Sequence, residues 1–210
     1  MSDRRPVLWD VDTQVDFMLA AGKLYVPGAE QTREAMGRLV RAAHEAGIVH
    51  VASVDDHELT DPEISAEPNF ELTYPPHCLR CTPGAHKIPE TEQVDPVPLS
   101  LTPYPPAAVH DLFRGHREVV VLKKSASVFT NPNVEPLLDA LAPSELVVFG
   151  VATDVCDHAA IMGFLARGLK VAFVEDAAAG LSEERVAACT AEWRERGVRF
   201  TTSDEVLARW

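Results

Sequence analysis

Residues 146–157 read LVVFGVATDVCD, an apolar run that ends at a glycine and is followed by a cysteine. The consecutive apolar residues Leu146–Phe149 are typical of a buried parallel strand, because such strands are apolar on both faces. From about Thr153 the pattern DVCDHAAIMGFLARG predicts a helix that ends at Gly168. Cys156 then lies near the start of that helix, where unpaired N–H groups and the helix dipole would lower the pKa of a thiol.

The predicted helix has an apolar face defined by its spacing. Four residues at helical intervals are expected to face the sheet: Val155, Ala159, Met162 and Leu165. Cys156 itself has two interpretations, a small buried residue without chemistry or a nucleophile, and cysteine is often simply buried. Its position favours the nucleophile, provided that the chain supplies a base and a cation.

The rest of the chain alternates predicted strands with predicted helices. The strands are Pro6–Val11, Ile48–Val54, Val119–Leu122, Leu146–Phe149, Lys170–Val174 and Val198–Thr201. The helices, besides the one after the glycine, are Glu30–Ala46, Val134–Leu141, Glu183–Arg196 and Asp204–Trp210. This alternation predicts an α/β protein with three layers (αβα), a doubly wound sheet of about six parallel strands and right-handed crossovers. We expect one domain over residues 1–210.

Residues 55–106, called here the lid segment, lack any periodicity and are rich in proline. A loop of this length inside a compact domain is either functional or disordered. Its aromatic residues, Phe70, Tyr74 and Tyr104, favour an ordered rim over a flexible linker. We therefore expect the lid segment to border a functional site.

Charge and cysteine content limit the class of protein. The net charge of −13 argues against nucleic acid and anionic membranes as partners. No apolar run approaches the roughly 20 residues of a membrane span, and the start MSDRRPVLWD does not resemble a signal peptide, so we expect a cytoplasmic protein. The four cysteines are expected to be reduced thiols. Cys78 and Cys81 form a C-x-x-C pair, but without a second pair they are interpreted as structural.

Asp12, Lys123 and Cys156 are each expected at the carboxyl end of a strand. Ligands of open parallel sheets bind there, and a carboxylate, an ammonium group and a thiol supply the parts of nucleophilic acyl chemistry. Backbone N–H groups leading into the helix would receive the oxyanion. Taken singly, Asp12 could be a turn cap and Lys123 a surface lysine, with Lys124 pointing inward instead. Their joint occurrence indicates an active site.

Three segments resemble the isochorismatase-like cysteine hydrolases. Residues 12–17, DTQVDF, resemble the D-x-Q-x-D-F opening of that family, and residues 150–156, GVATDVC, resemble its G-x-A-T-x-x-C signature. Lys123 precedes residues 127–129, SVF, by four positions, similar to the lysine before the family's S-A-F motif. The resemblance spans roughly residues 6–181.

This resemblance implies a catalytic triad of Asp12, Lys123 and Cys156 on a six-stranded parallel sheet. It also implies a cis peptide between Val151 and Ala152, with the N–H groups of Ala152 and Cys156 forming the oxyanion hole. Members of the family are usually oligomeric, so a homo-oligomer is expected, and no organic cofactor is expected.

A metal site is expected in the lid segment. Asp55 and His57 form a D-x-H pair after the second strand, and two imidazoles with a carboxylate suit a zinc, iron or manganese ion with open positions. A D-x-H pair alone is weak evidence and is more often a pair of solvated loop residues. However, residues 74–85, YPPHCLRCTPGA, resemble the W-P-P-H-C-x-x-G-T-P-G-A segment of nicotinamidases, whose histidine binds the metal. The resemblance therefore implies Asp55, His57 and His77 as metal ligands.

The lid segment departs from the nicotinamidase pattern at several positions. Tyr74 replaces the tryptophan and Cys81 replaces a glycine. Residues 61–64, DPEI, hold no counterpart of the further histidine that some nicotinamidases add. Glu63, Glu58 or water could complete the metal site instead.

The expected function is hydrolysis of a small pyridine-type carboxamide to the acid and ammonia through a thioester on Cys156. The metal would orient the ring nitrogen, Phe17 and Tyr74 would stack on the ring, and Val151 would contact the substrate. One alternative is a metal-free amidase of the same superfamily that acts on a carbamoyl or ureido amide. Another is a non-catalytic member that retains the fold. Isochorismate hydrolysis is disfavoured, because cleavage of a vinyl ether needs no thiol.

Overall fold

The computed structural model of the protein describes residues 5–210. Within that range, seven strands form one sheet: β1 Val7–Val11, β2 Val49–Asp55, β3 Val97–Leu99, β4 Glu118–Lys123, β5 Leu146–Val151, β6 Val171–Ala179 and β7 Arg199–Thr201. The α-helices are α1 Val15–Met18, α2 Ala29–Ala46, α3 Pro106–Leu112, α4 Val134–Leu141, α5 His158–Ala166, α6 Glu183–Glu195 and α7 Ser203–Leu207. All neighbouring strands are parallel, in the order β3-β4-β2-β1-β5-β6-β7. The predicted α/β class with a doubly wound parallel sheet is confirmed.

Strand β1 shows why the fold has three layers. All its residues are buried, and successive side chains point to opposite faces of the sheet. Trp9 packs on one face against Phe164 of α5, with ring centroids 4.7 Å apart. Leu8 belongs to the core on the other face, together with Met36 and Leu39 of α2. Helices therefore cover both faces of the sheet, as predicted.

The sheet has seven strands where about six were predicted, because a short edge strand lies inside the lid segment. Strand β3 pairs with β4 through Val97 opposite Val119 and Leu99 opposite Val121. Pro98 lies at the centre of this strand, and an edge strand tolerates proline because one side of it needs no hydrogen-bond donor. Helix α3, which begins at the end of the lid segment, was also missed. The other predicted elements are confirmed, with ends displaced by a few residues.

The predicted apolar face of α5 is confirmed in part. Val155, Met162 and Leu165 pack against the core but are only partly buried, as is Ala159, whereas the fully buried residues of α5 are Ala160, Ile161 and Phe164. A π-helical turn over Thr153–Asp157 precedes α5, and in it the Asp157 N–H donates to the Ala152 carbonyl at 3.1 Å. A π turn is wider than an α turn, so it rotates the following residues around the helix axis.

The sheet order places a crevice at the ends of β1 and β5. From β1 the chain moves outward to β2 and on to the edge strand β3, comes back to β4 between these two, and then crosses to β5 on the opposite side of β1. This reversal is the switch point at which open α/β sheets bind ligands. Asp12 follows β1 directly, and Cys156 follows β5 by five residues.

The lid segment returns across the exit of β1. The Gln14 side chain donates to the Ala85 carbonyl at 2.9 Å, and the Ile88 N–H donates to the Thr13 carbonyl at 2.9 Å. The cysteine thiols differ in exposure, since Cys81 is exposed at a turn whereas Cys156 is buried. No helix in residues 5–210 is long and apolar enough to cross a membrane.

Candidate active site

The structure brings Asp12, Lys123 and Cys156 together at the crevice. The Lys123 Nζ lies 2.7 Å from Asp12 Oδ2 and 3.8 Å from Cys156 Sγ. It also lies 2.5 Å from Asp55 Oδ1. All these side chains are buried. Lys123, and not Lys124, is therefore the lysine that points into the site.

The backbone at Asp12 aims its carboxylate toward the lysine. Asp12 has a φ of 51°, a left-handed conformation that aspartate adopts more readily than most residues. The Asp12 N–H donates to the Ser53 carbonyl at 3.0 Å, and the Ser53 hydroxyl donates to Asp12 Oδ1 at 3.2 Å. The sequence analysis missed Ser53, for which the only signal was a small polar residue near the end of an apolar strand.

Burial determines the protonation of Cys156, the candidate nucleophile. It raises the pKa of the Cys156 thiol well above its usual value, although Lys123 acts in the opposite direction. The expected lowering of this pKa by the helix start was therefore wrong, because desolvation and the nearby Asp12 and Asp55 carboxylates outweigh the positive charges. Cys156 is thus a neutral thiol at rest and needs a base.

Asp12 has the properties of such a base. Burial raises the pKa of Asp12 to about 6, with Lys123 acting against this rise. Lys123 itself would lose its proton more easily through burial alone, but Asp12 and Asp55 raise its pKa well above the usual value. At neutral pH the site therefore combines a carboxylate, an ammonium group and a thiol.

The turn before Cys156 has the geometry that the resemblance implied. The Val151–Ala152 peptide is cis. The Ala152 carbonyl accepts hydrogen bonds from the N–H groups of Val155 at 2.9 Å and Asp157 at 3.1 Å. The Cys156 N–H takes part in neither bond. The oxyanion role of the Ala152 and Cys156 N–H groups stays a prediction.

A cavity of about 370 Å³, including its open mouth, lies beside Cys156. Its lining includes the three predicted substrate-binding residues Phe17, Tyr74 and Val151. Four apolar residues that were not predicted to contact substrate also line it: Leu24, Val26, Val155 and Leu181. A largely apolar cavity with polar groups at one end suits a small ring that carries one reactive polar group.

Asp55, His57 and His77 converge on the polar end of the cavity. One potential ligand atom from each lies within 4.8 Å of the others. The Nε2 atoms of His57 and His77 lie 3.7 and 3.6 Å from Asp55 Oδ2. The His57 Nε2 is buried without a hydrogen-bond partner in the described part of the chain, and such an atom calls for an explanation. A divalent ion bound by two imidazoles and a carboxylate would satisfy it, so the residues fit a metal site.

The two glutamates considered as further ligands have different surroundings. Glu58 forms an ion pair with Arg80 at 2.5 Å, and its side chain is half exposed. Glu63 lines the cavity, and burial raises its pKa. Glu63 is thus the one of the two that borders the site.

Two residues of the DTQVDF opening hold the backbone around the metal ligands. The Gln14 side chain accepts from the Asp55 N–H at 2.7 Å and donates to the Asp55 carbonyl at 2.8 Å. The Asp16 carboxylate accepts from the Cys78 N–H at 2.7 Å, directly after His77. Sequence analysis identified this opening but assigned no role to these two residues.

The family model of the isochorismatase domain matches residues 7–205. The chain belongs to the isochorismatase family. It is 27% identical over 198 residues to the nicotinamidase/pyrazinamidase of Mycobacterium tuberculosis, covering 92% of this chain and 96% of that protein.

Solved structures share this isochorismatase fold. The pyrazinamidase of Pyrococcus horikoshii in complex with zinc superimposes with a TM-score of 0.74 at 24% identity, covering 94% of this chain and 99% of that one. The N-carbamoylsarcosine amidase of Thermoplasma acidophilum has a TM-score of 0.72 at 22% identity, covering 95% of this chain and 97% of that one. The resemblance inferred from sequence motifs is confirmed.

Proposed function

We propose that this protein is a metal-dependent amidase that hydrolyses a small pyridine-type carboxamide to the acid and ammonia. Membership of the isochorismatase family and similarity to a nicotinamidase/pyrazinamidase support the coarser assignment, a hydrolase of amide C–N bonds. The finer proposal rests on the contacts of Lys123. Its ammonium group contacts Asp12 and Cys156, and it also contacts Asp55, a candidate metal ligand. Nucleophile and metal site then act on one substrate.

Catalysis begins with proton transfer from the Cys156 thiol to the Asp12 carboxylate. The thiolate, stabilised by Lys123, attacks the carboxamide carbon, and the N–H groups of Ala152 and Cys156 receive the oxyanion. Asp12 returns the proton to the leaving nitrogen, ammonia departs and a thioester remains. Asp12 then takes a proton from water, the resulting hydroxide attacks the thioester carbon, and the acid leaves as Cys156 regains its proton.

Asp55, His57 and His77 would hold the ion. When bound, it supplies a Lewis-acid anchor for a heteroatom of the substrate. Phe17 and Tyr74 flank His77, with ring centroids 5.3 and 6.2 Å from its imidazole, so an aromatic ring in the cavity would contact both. These contacts favour a planar heteroaromatic amide over a flexible ureido compound.

The test is ammonia release from nicotinamide, pyrazinamide and simple ureido compounds, measured on zinc-loaded and on chelated protein. We expect turnover of the pyridine and pyrazine carboxamides that is lost on chelation and restored by zinc. Turnover of ureido compounds alone, unaffected by chelation, would identify the metal-free alternative. Absence of ammonia release from every compound would contradict an amidase function.

A cysteine series tests the nucleophile. Cys156→Ala should reduce kcat by about three orders of magnitude or more, because the covalent route is lost. Cys189→Ala is the matched control, since this half-buried cysteine on α6 does not line the cavity. Near-normal turnover by Cys156→Ala would contradict the mechanism.

A further inference from the structure

The imidazole of His57 is held from behind by a carboxylate. The His57 Nδ1 lies 3.3 Å from Asp61 Oδ2, on the side of the ring opposite the Nε2 that faces Asp55. The Glu58 N–H also donates to Asp61 Oδ2, at 2.8 Å. The Asp61 side chain is 11% exposed. Asp61 is thus fixed from the backbone while it contacts the ring.

Lys124 fixes the same carboxylate from the sheet. Its Nζ lies 2.8 Å from both oxygens of Asp61. Lys123 and Lys124 are consecutive at the end of β4, so their side chains point in different directions. Lys123 contacts Asp12 and Cys156, whereas Lys124 contacts Asp61. One strand end therefore supports the nucleophile and the metal site together.

The other imidazole is held differently. The His77 Nδ1 lies 2.7 Å from the Pro75 carbonyl, a neutral acceptor. Both rings thus have Nδ1 bonded to an acceptor and Nε2 directed toward Asp55. Only His57 has a charged acceptor. A carboxylate behind a metal-binding imidazole fixes its tautomer and orientation and makes it a better electron donor.

We propose that Asp61 is a positioning residue for the metal site and that Lys124 holds it in place. Asp61 keeps the His57 proton on Nδ1, so that the Nε2 lone pair faces the ion. Lys124 fixes the direction of the carboxylate. This inference rests on the proposed metal site, and it assigns a role to residues 61–64, where the sequence departs from the nicotinamidase pattern.

Zinc affinity of the purified full-length protein, measured by competition with a chromogenic chelator, tests the proposal. Asp61→Asn keeps an acceptor and loses the charge, whereas Asp61→Ala loses both. We expect zinc affinity to fall about 10-fold in Asp61→Asn and up to about 100-fold in Asp61→Ala, the range found for outer partners of metal ligands. Glu135→Gln is the control, because it removes an exposed carboxylate that pairs with Arg167 away from the site, and it should leave zinc affinity unchanged.

A second measurement separates positioning from general stability. Long-range ¹H–¹⁵N NMR of metal-free protein at alkaline pH reports which ring nitrogen of His57 carries the proton. The wild type should show Nδ1–H, and Asp61→Ala should shift the population toward Nε2–H. Lys124→Met retains Asp61 and should give a zinc affinity between those of the wild type and Asp61→Ala. If Asp61→Ala does not fold, Lys124→Met tests the role of Asp61 instead.

The outcomes distinguish the two proposals. If wild-type protein binds zinc but Asp61→Ala stays within threefold of its affinity with an unchanged His57 tautomer, the role of Asp61 is overturned and the metal site stands. The same holds if Asp61→Ala does not fold and Lys124→Met binds zinc like the control. If wild-type protein binds no zinc, the metal site and the role of Asp61 fail together.

Discussion

Lys123 is a fully buried lysine whose charge is kept by its neighbours. Two carboxylates and a thiol surround its ammonium group, with Asp12 and Asp55 at 2.7 and 2.5 Å. A buried lysine without partners would become neutral, since desolvation disfavours the charged form. Here the ion pairs keep it charged. Substitution of one carboxylate therefore changes the charge state of the whole group, and effects of single variants will not add.

The pH dependence of turnover should report Asp12. Burial raises the pKa of Asp12 to about 6. The Asp12 side chain is therefore mostly a carboxylate above that pH and mostly a neutral acid below it. Because only the carboxylate can take the thiol proton, kcat/KM should fall about tenfold per pH unit as the pH drops below about 6. The measurement is a pH profile of ammonia release, with circular dichroism at each pH as the control for folding. A profile that stays flat to pH 5 would exclude Asp12 as the base.

At this scale the sequence predicted residues that lie at strand ends. Asp12, Lys123 and Cys156 each follow an apolar run, so their meeting could be anticipated from the rule for parallel sheets. The contact of Asp61 with His57 could not be anticipated, because nothing in residues 61–64, DPEI, indicates that Asp61 lies beside the His57 ring. The direction of the Cys156 pKa was missed for a related reason, since the burial of the thiol depends on packing by distant segments.

Strand β1 carries a buried charge in its interior. Asp10 is fully buried and forms an ion pair with Lys87 of the lid segment. The Thr13 hydroxyl donates to Asp10 at 2.8 Å and accepts from the Lys87 ammonium at 3.0 Å. His50 Nε2 lies 3.4 Å from the same carboxylate. This network joins the lid segment to the central strand of the sheet.

Asp10→Ala should destabilise the protein by about 3–5 kcal/mol, because it leaves the largely buried ammonium group of Lys87 without its carboxylate partner. The double variant Asp10→Ala/Lys87→Met should regain much of that loss, since neither charge remains. Urea unfolding of both single variants and the double variant measures the coupling. Equal stability of Asp10→Ala and the double variant would show that Lys87 finds another partner.

Asn131 joins the edge strand to the sheet. Its buried amide donates to the carbonyls of Leu99, Ser100 and Leu122 at 3.0, 3.2 and 2.9 Å. Asn131→Ala leaves these acceptors without that donor and should cost about 2–3 kcal/mol. Asn69→Ala is the control, an identical change at an exposed turn, and should cost less than about 1 kcal/mol. Urea unfolding that ranks the two variants in the opposite order would contradict this role.

Two elements show where pattern analysis fails. Strand β3 has three residues and a central proline, so neither length nor propensity marks it, and only pairing with β4 makes it a strand. The π turn over Thr153–Asp157 was not predicted either, because it interrupts the 3.6-residue period only before α5 begins. Strands β1 and β5 were predicted, because strands that are buried on both faces are continuous apolar runs in the sequence.

Over the whole molecule, the proposed metal site joins distant parts of the chain. Asp55 ends β2, whereas His77 lies in the lid segment beyond an exposed turn that includes Phe70 and Leu72. Bound metal would connect the lid segment to the sheet and stabilise the folded state by linkage. The overall alternation of strands and helices follows from the sequence. The path of the lid segment does not, since it is fixed by side-chain contacts such as that of Asp16 with the Cys78 N–H.

Chelation should therefore lower the thermal stability of zinc-loaded protein. At a free zinc concentration 100 times Kd, binding contributes about 2.7 kcal/mol. For a chain of this size that corresponds to a fall in Tm of about 5–10 °C on chelation. Calorimetry with and without chelator measures this shift, and His77→Ala, which lacks a proposed ligand, should show none. An equal shift in both proteins would mean that zinc stabilises them elsewhere.

The contrast between Cys81 and Cys156 has a consequence for chemical probes. Cys81 is exposed, whereas the sulfur of Cys156 is buried at the base of the cavity as a neutral thiol. Iodoacetamide or maleimide should therefore label Cys81 first, giving a mass adduct on protein that still turns over. Covalent inhibitors will need a warhead on a flat scaffold that enters the cavity, and adduct counts alone will not measure inactivation.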